Sequence, residues 1–154
     1  MGIVDARLAE LGLTIPEVAA PAGAYVPAVV SGRLLYTAGQ LPFVDGALPA
    51  TGKVGREVTG EQAQDLAKQS VLNALAAARS VLGGDLDRVV RVVKVTGFVA
   101  SDPAFTGQPG VINGASNVLG EIFGDKGVHA RSAVGVAVLP LDSPVEVEII
   151  LEVE

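Results

Sequence analysis

The stretch from about residue 60 to 82 limits what this chain can fold into more than any other. Thr59 and Gln62 stand at capping-box spacing, where a hydroxyl and an amide oxygen each accept a free backbone N–H at a helix start. Ala63, Leu66, Ser70, Ala74, Ala78 and Val81 recur at helical intervals, and Gly83-Gly84 ends the run. The buried stripe is therefore made mostly of small side chains. Such a helix can lie unusually close to a sheet or to another helix, so the rest of the chain must supply that surface.

The strand candidates are correspondingly clear. Val92 to Ala100 is rich in β-branched residues and reads as a strand buried on both faces. Val145 to Val153 alternates, with Val145, Val147, Ile149, Leu151 and Val153 inward and Glu146, Glu148 and Glu152 outward. Ala130–Leu139 is a further strand, linked to the last one by Pro140-Leu141-Asp142-Ser143-Pro144. Two short strands lie near Val26–Val30 and Leu34–Ala38, around a Ser31-Gly32-Arg33 turn. A second helix is expected near 109–123, with Val111, Ala115, Val118, Leu119 and Ile122 on one face. Residues 45–58 form a turn-rich excursion, and Pro16, Pro21 and Pro27 enforce an extended passage. The N-terminal extension, residues 1–19, is expected to carry a short helix over 3–11, with Val4, Leu8 and Leu11 on one side. The order is α+β: a mixed β-sheet with two main helices packed on one face, in one domain spanning 1–154.

Composition removes whole classes of function. With 11 Lys+Arg against 17 Asp+Glu, the formal net charge is -6, and no basic run offers a nucleic-acid surface. The chain has no Cys and one His, which leaves no thiolate nucleophile and argues against a metal site. No phosphate-binding glycine loop and no nucleophile-elbow motif is present. The longest uncharged stretch, 103–120, contains four Gly and two Pro, so it is no membrane span. Charged residues in the first turns argue against a signal peptide, and a cytoplasmic protein is expected. The mean hydropathy of +0.48 is high for a small domain and points to a buried subunit interface as well as a core.

What remains is an arginine. In the strand opening His129-Ala130-Arg131, Arg131 shares a face with Ala133, Gly135 and Ala137. A guanidinium over small residues can hold a carboxylate through two parallel hydrogen bonds. It could equally begin a strand at the surface or pair with a carboxylate side chain of the chain itself.

Ala130-Arg131-Ser132, Leu139-Pro140 and Val145-Glu146-Val147 follow, with spacing intact, the C-terminal signature of the RidA/YjgF family (also called the L-PSP or reactive-intermediate deaminase family), which the chain resembles from about Ala20 onward. Gly23-Ala24-Tyr25-Val26, Thr37-Ala38-Gly39-Gln40-Leu41-Pro42, Val99–Asp102 and Asn113 are similar to further family segments. The resemblance implies a trimeric chorismate-mutase-like fold, a homotrimer with clefts between subunits, and no cofactor. It implies hydrolytic deamination of enamines and imines of the 2-aminoacrylate and 2-iminopropanoate type, giving 2-oxo acids and ammonia. Carried over residue by residue, it assigns Arg131 to the substrate carboxylate, Glu146 to the attacking water and Tyr25 to the catalytic cleft. Gly39, Ala38, Asn113 and Ala133 would line the substrate. The family commonly has Ser where Ala38 stands, Cys where Ala133 stands, and Pro at the positions of Ala24 and His129. A non-catalytic small-carboxylate-binding protein on the same fold is the alternative, and a ribonuclease or translation inhibitor a more distant one.

Each residue also has a plainer role open to it. Glu146 could belong to a solvated face, Tyr25 could anchor the core, Asn113 could cap a helix, and His129 could be a loop residue or a proton shuttle. If the last two strands pair as a hairpin, Arg131 lies about seven rows, over 20 Å, from Glu146 and on the opposite face. A site using both would then be shared between neighbouring chains.

Overall fold

The computed structural model describes residues 2–21 and 23–154. Its elements are α1 (Ile3–Leu11), β1 (Ala28–Ser31), β2 (Leu34–Thr37), α2 (Gly60–Val81), β3 (Val89–Ala100), α3 (Gln108–Phe123), β4 (Ala130–Val136) and β5 (Val145–Val153). The capping box forms as the spacing requires: the Gln62 N–H donates to Thr59 Oγ1 (3.1 Å) and the Thr59 N–H to Gln62 Oε1 (3.0 Å). Small residues then let α2 and α3 come together. A Cβ at Gly114 would lie 1.9 Å from the Gln64 carbonyl oxygen. Val81 departs from the expected stripe and is 39% exposed; Ala77, Ala78 and Leu82 around it are buried, so the buried face at this end runs through Leu82 instead.

The five strands form one mixed sheet in the order β1-β2-β5-β3-β4. Both main helices cover the same face, α2 over β1, β2 and β5, and α3 over β3 and β4. Inward positions of β5 are therefore almost fully buried, and its glutamates lie on the other face. The expectation that β3 is buried on both faces is corrected. Val92, Val95 and Val99 are fully buried under the helices, whereas Thr96 and Phe98 on the opposite face stay half-exposed in the single chain. Among the described residues, no helix is long and apolar enough to cross a membrane.

The hairpin between the last two strands does not form. β4 pairs in parallel with β3, Arg131 beside Val95, and β3 pairs antiparallel with β5, Phe98 beside Glu146. β3 thus lies between them. Helix α3 carries the chain from the end of β3 back to the start of β4, as a parallel neighbour requires. The segment after β4, which ends at Val136 instead of Leu139, arches over the end of β3. There the Ser101 N–H meets the Val136 carbonyl (3.1 Å) and the Ala100 N–H meets that of Pro144 (2.9 Å). Along this register Arg131 and Glu146 are three rows and two strands apart, about 14 Å between Cα atoms, less than the hairpin implied.

The N-terminal helix exists, with Val4 and Leu8 buried, but its own N-cap residue is Gly2, which has no side chain to cap with. The cap comes from Asp87, just before β3. Its carboxylate accepts the N–H groups of Ile3 and Val4, both at 2.8 Å. Those two bonds hold the Asp87 carboxyl below the ordinary aspartate range. The turn-rich excursion is equally tethered. Val54 and Val58 enter the core, Arg56 pairs with Asp102 at 3.0 Å, and Lys53 pairs with Asp142.

Candidate functional site

The candidate residues fall into two groups on opposite faces of the sheet. Arg131 points under α3, where Nη1 donates to Asn113 Oδ1 (2.8 Å) and Ser116 Oγ (3.2 Å), and Nη2 to the Pro109 carbonyl (3.1 Å). All three acceptors are neutral. Among the described residues no carboxylate lies within ion-pair distance of Arg131, and its Nε–H has no hydrogen-bond partner. The guanidinium is thus held in place while its charge stays uncompensated, as an anion clamp requires. Ala133, two residues along on the same face, packs against the core. Asn113 lies inside α3 and is not a cap; its side chain serves the arginine.

Beneath Arg131 a chain of hydrogen bonds continues. Ser116 Oγ is 2.9 Å from His129 Nε2, and His129 Nδ1 is 2.6 Å from the Gly127 carbonyl. A carbonyl only accepts, so Nδ1 carries a proton; in the Nδ1–H tautomer Nε2 is the acceptor for the Ser116 hydroxyl. His129 is half-buried and paired at both nitrogens.

The second group surrounds Glu146. β2 does not stop cleanly at Thr37: Tyr36 pairs with Ile150, and Gln40 bridges to Val147. Four steps on one strand face three on the other, so Ala38-Gly39 forms a bulge. Thr37 Oγ1 takes over the ladder there by accepting the Ile149 N–H (3.0 Å), and the Ala38 N–H donates to the Pro27 carbonyl (2.7 Å). The bulge seats Gly39 directly against Glu146. A Cβ at Gly39 would fall 2.5 Å from Glu146 Oε1, so only glycine fits without displacing the carboxylate.

Glu146 and Gly39 line a cavity of about 270 Å³ together with Tyr25, Leu41, Phe43 and Leu141. Ala19, Ala20 and Pro21, in the passage that follows the N-terminal helix, close one side. The walls are mainly hydrocarbon, and burial is the larger cause pushing the Glu146 carboxyl above its ordinary value of 4.5; the Glu148 charge adds to it. Leu141 stands at this cavity in a left-handed conformation, φ 58°, uncommon for a bulky residue. A buried Asn73 on α2 donates to the Leu41 and Phe43 carbonyls (3.0 and 3.1 Å) and so fixes one wall. Its signal in the sequence is an amide inside a run of Ala and Leu.

This fold, with an arginine and a glutamate on opposite sheet faces, belongs to a defined class. A family profile described as "YjgF/chorismate mutase-like, putative endoribonuclease" matches residues 5–153. The chain belongs to that family, and the match reaches further toward the N-terminus than the motifs from Ala20 onward. Protein TCP17 of Trypanosoma cruzi is 45% identical over 152 residues, covering 98% of this chain and 94% of that protein. The crystal structure of protein Atu1372 from Agrobacterium tumefaciens, of unknown function, is 46% identical, with a TM-score of 0.90 over 98% of this chain and 92% of the other. Escherichia coli TdcF, solved with bound serine, is 26% identical, with a TM-score of 0.64 over 92% and 96% of the two chains.

Proposed function

We propose that the protein hydrolyses imines and enamines derived from 2-amino acids to 2-oxo acids and ammonia. We further propose that its sites are shared between neighbouring protomers of a closed trimer. The observation that carries this reading is the pairing of an uncompensated, pre-positioned arginine with a desolvated glutamate on opposite sheet faces. No single chain can aim both at one small molecule, but two chains can. The half-exposed sheet face, with Tyr36 and Val134 each more than 40% exposed, offers an interface for the second chain.

In such a cleft Arg131, fixed by Asn113 and Ser116, takes the substrate carboxylate in its fork. The hydrocarbon walls beside the neighbour's Glu146 take the amino-acid side chain. Glu146 removes a proton from water as the oxygen adds to C2 of the protonated imine, giving a neutral carbinolamine. The same carboxyl then returns that proton to the nitrogen, the C–N bond breaks and ammonia leaves. The hydroxyl passes its proton to the departing ammonia as the C2=O bond of the 2-oxo acid forms. A carboxyl raised above its ordinary value is better matched to both proton transfers near neutrality. Tyr25 at the cavity wall orients the water or the nitrogen. Such imines hydrolyse readily unaided, so positioning and one acid–base group suffice.

Ala38 and Ala133 favour a second reading, a carboxylate-binding protein without turnover, because neither offers a hydroxyl or thiol to the substrate. The net charge of -6 weighs against an RNA substrate. One assay separates the readings. 2-Iminopropanoate generated in situ from alanine by an amino-acid oxidase is expected to decay faster with the protein present. No acceleration together with saturable pyruvate binding establishes the binding protein instead.

A further inference from the structure

We infer that His129 is a positioning residue for the carboxylate clamp, acting on Arg131 through Ser116. The inference rests on Arg131 being the clamp. An arginine side chain has many rotamers, and a fork that must meet a planar carboxylate has to be fixed before the ligand arrives. Two of the three bonds that fix it come from Nη1, and one of these goes to Ser116 Oγ.

A serine inside a helix ordinarily turns its hydroxyl back to a carbonyl one turn earlier. Here Oγ lies 2.9 Å from His129 Nε2 and accepts from Arg131, so its lone pairs face the arginine and its own proton is free to point to the histidine. The direction of the chain is set at its far end. Nδ1–H donates to the carbonyl of buried Gly127, which selects the tautomer whose Nε2 is an acceptor. Every group in the sequence Arg131, Ser116, His129, Gly127 donates to the next and accepts from the one before. His129 stands two residues before Arg131, so strand periodicity puts both under α3. Both ring nitrogens of His129 are taken up by Ser116 and Gly127, which makes the histidine a support and not an acid or base.

The test uses the full-length chain. His129→Ala and Ser116→Ala are each expected to raise KM for 2-iminopropanoate about fivefold, the size of one hydrogen bond, with kcat within about twofold. Pyruvate affinity, measured by calorimetry, should fall by the same factor. His129→Gln, whose amide oxygen can reach the Nε2 position, and Ser116→Thr, which keeps the hydroxyl, should each recover most of the loss of the corresponding alanine variant. Both keep the measurement decisive if an alanine variant fails to fold. The double alanine variant should be no worse than Ser116→Ala alone, since both remove the same chain. Unchanged KM and pyruvate affinity in His129→Ala, or a glutamine variant as weak as the alanine, overturns the inference. If Arg131→Ala weakens pyruvate binding and His129→Ala does not, only the positioning role fails. If Arg131→Ala leaves pyruvate binding unchanged, the clamp itself fails.

Discussion

Around Arg131 the close partners are hydrogen-bonding groups, whereas around Glu146 the walls are mainly hydrocarbon. The first half fixes a charge by surrounding it with neutral acceptors from one helix, Pro109, Asn113 and Ser116. The second changes the affinity of a carboxyl for its proton by keeping water away. One half is tuned by geometry and the other by desolvation, so the two should fail differently when altered. Damage to the arginine side should appear in substrate affinity; damage to the glutamate side should appear in turnover and in pH behaviour.

The largest expected effect separates the halves altogether. Arg131→Ala and Glu146→Ala should each lower kcat/KM by about 10²–10³-fold, and Arg131→Lys should fail nearly as badly because an ammonium lacks the fork. Mixing the two inactive alanine variants under conditions of subunit exchange should restore part of the activity, since some mixed clefts regain both groups. No recovery after exchange confirmed by mass spectrometry breaks the shared-site arrangement.

Smaller changes sharpen the contrast. Gly39→Ala forces the Glu146 carboxylate to move and should lower kcat about 10- to 100-fold with little change in KM. Asn113→Ala removes a bond to a charged donor and should raise KM about tenfold with kcat nearly kept. Steady-state kinetics on the pair checks the assignment, and a reversed pattern would exchange the two roles.

The smallest effect is on stability. The folded chain binds the Glu146 proton more tightly than the unfolded chain does, so stability falls as pH rises from about 4.5 through the raised value. Glu146→Gln escapes that loss. Its melting temperature should match wild type near pH 4 and exceed it at pH 8. The gain should be about a few tenths of a kcal/mol, because the group is only half-buried.

Sequence periodicity carried much of the fold. The capping box at Thr59, the alternation of Val145–Val153 and the apolar stripe of α3 are written in neighbouring residues and appear as read. Strand pairing is not written that way. The short Pro140–Pro144 connection reads as a hairpin, yet β4 is drawn to β3 by the crossover through α3, and the connection spans the end of a strand instead. The site divides similarly. Arg131 and Glu146 stand out through motif and alternation. Ser116, Asn73 and the bulge at Ala38-Gly39 matter through contacts 13 or more residues away, which no local pattern encodes.

The cap on α1 has a consequence for how the chain assembles. The side chain that satisfies the first turn lies 84 residues downstream, so this helix cannot be completed from its own sequence. During synthesis it leaves the ribosome ahead of α2 and β3, and waits for both before Asp87 can receive it. A contact of such long range makes docking of the N-terminal helix a late folding event.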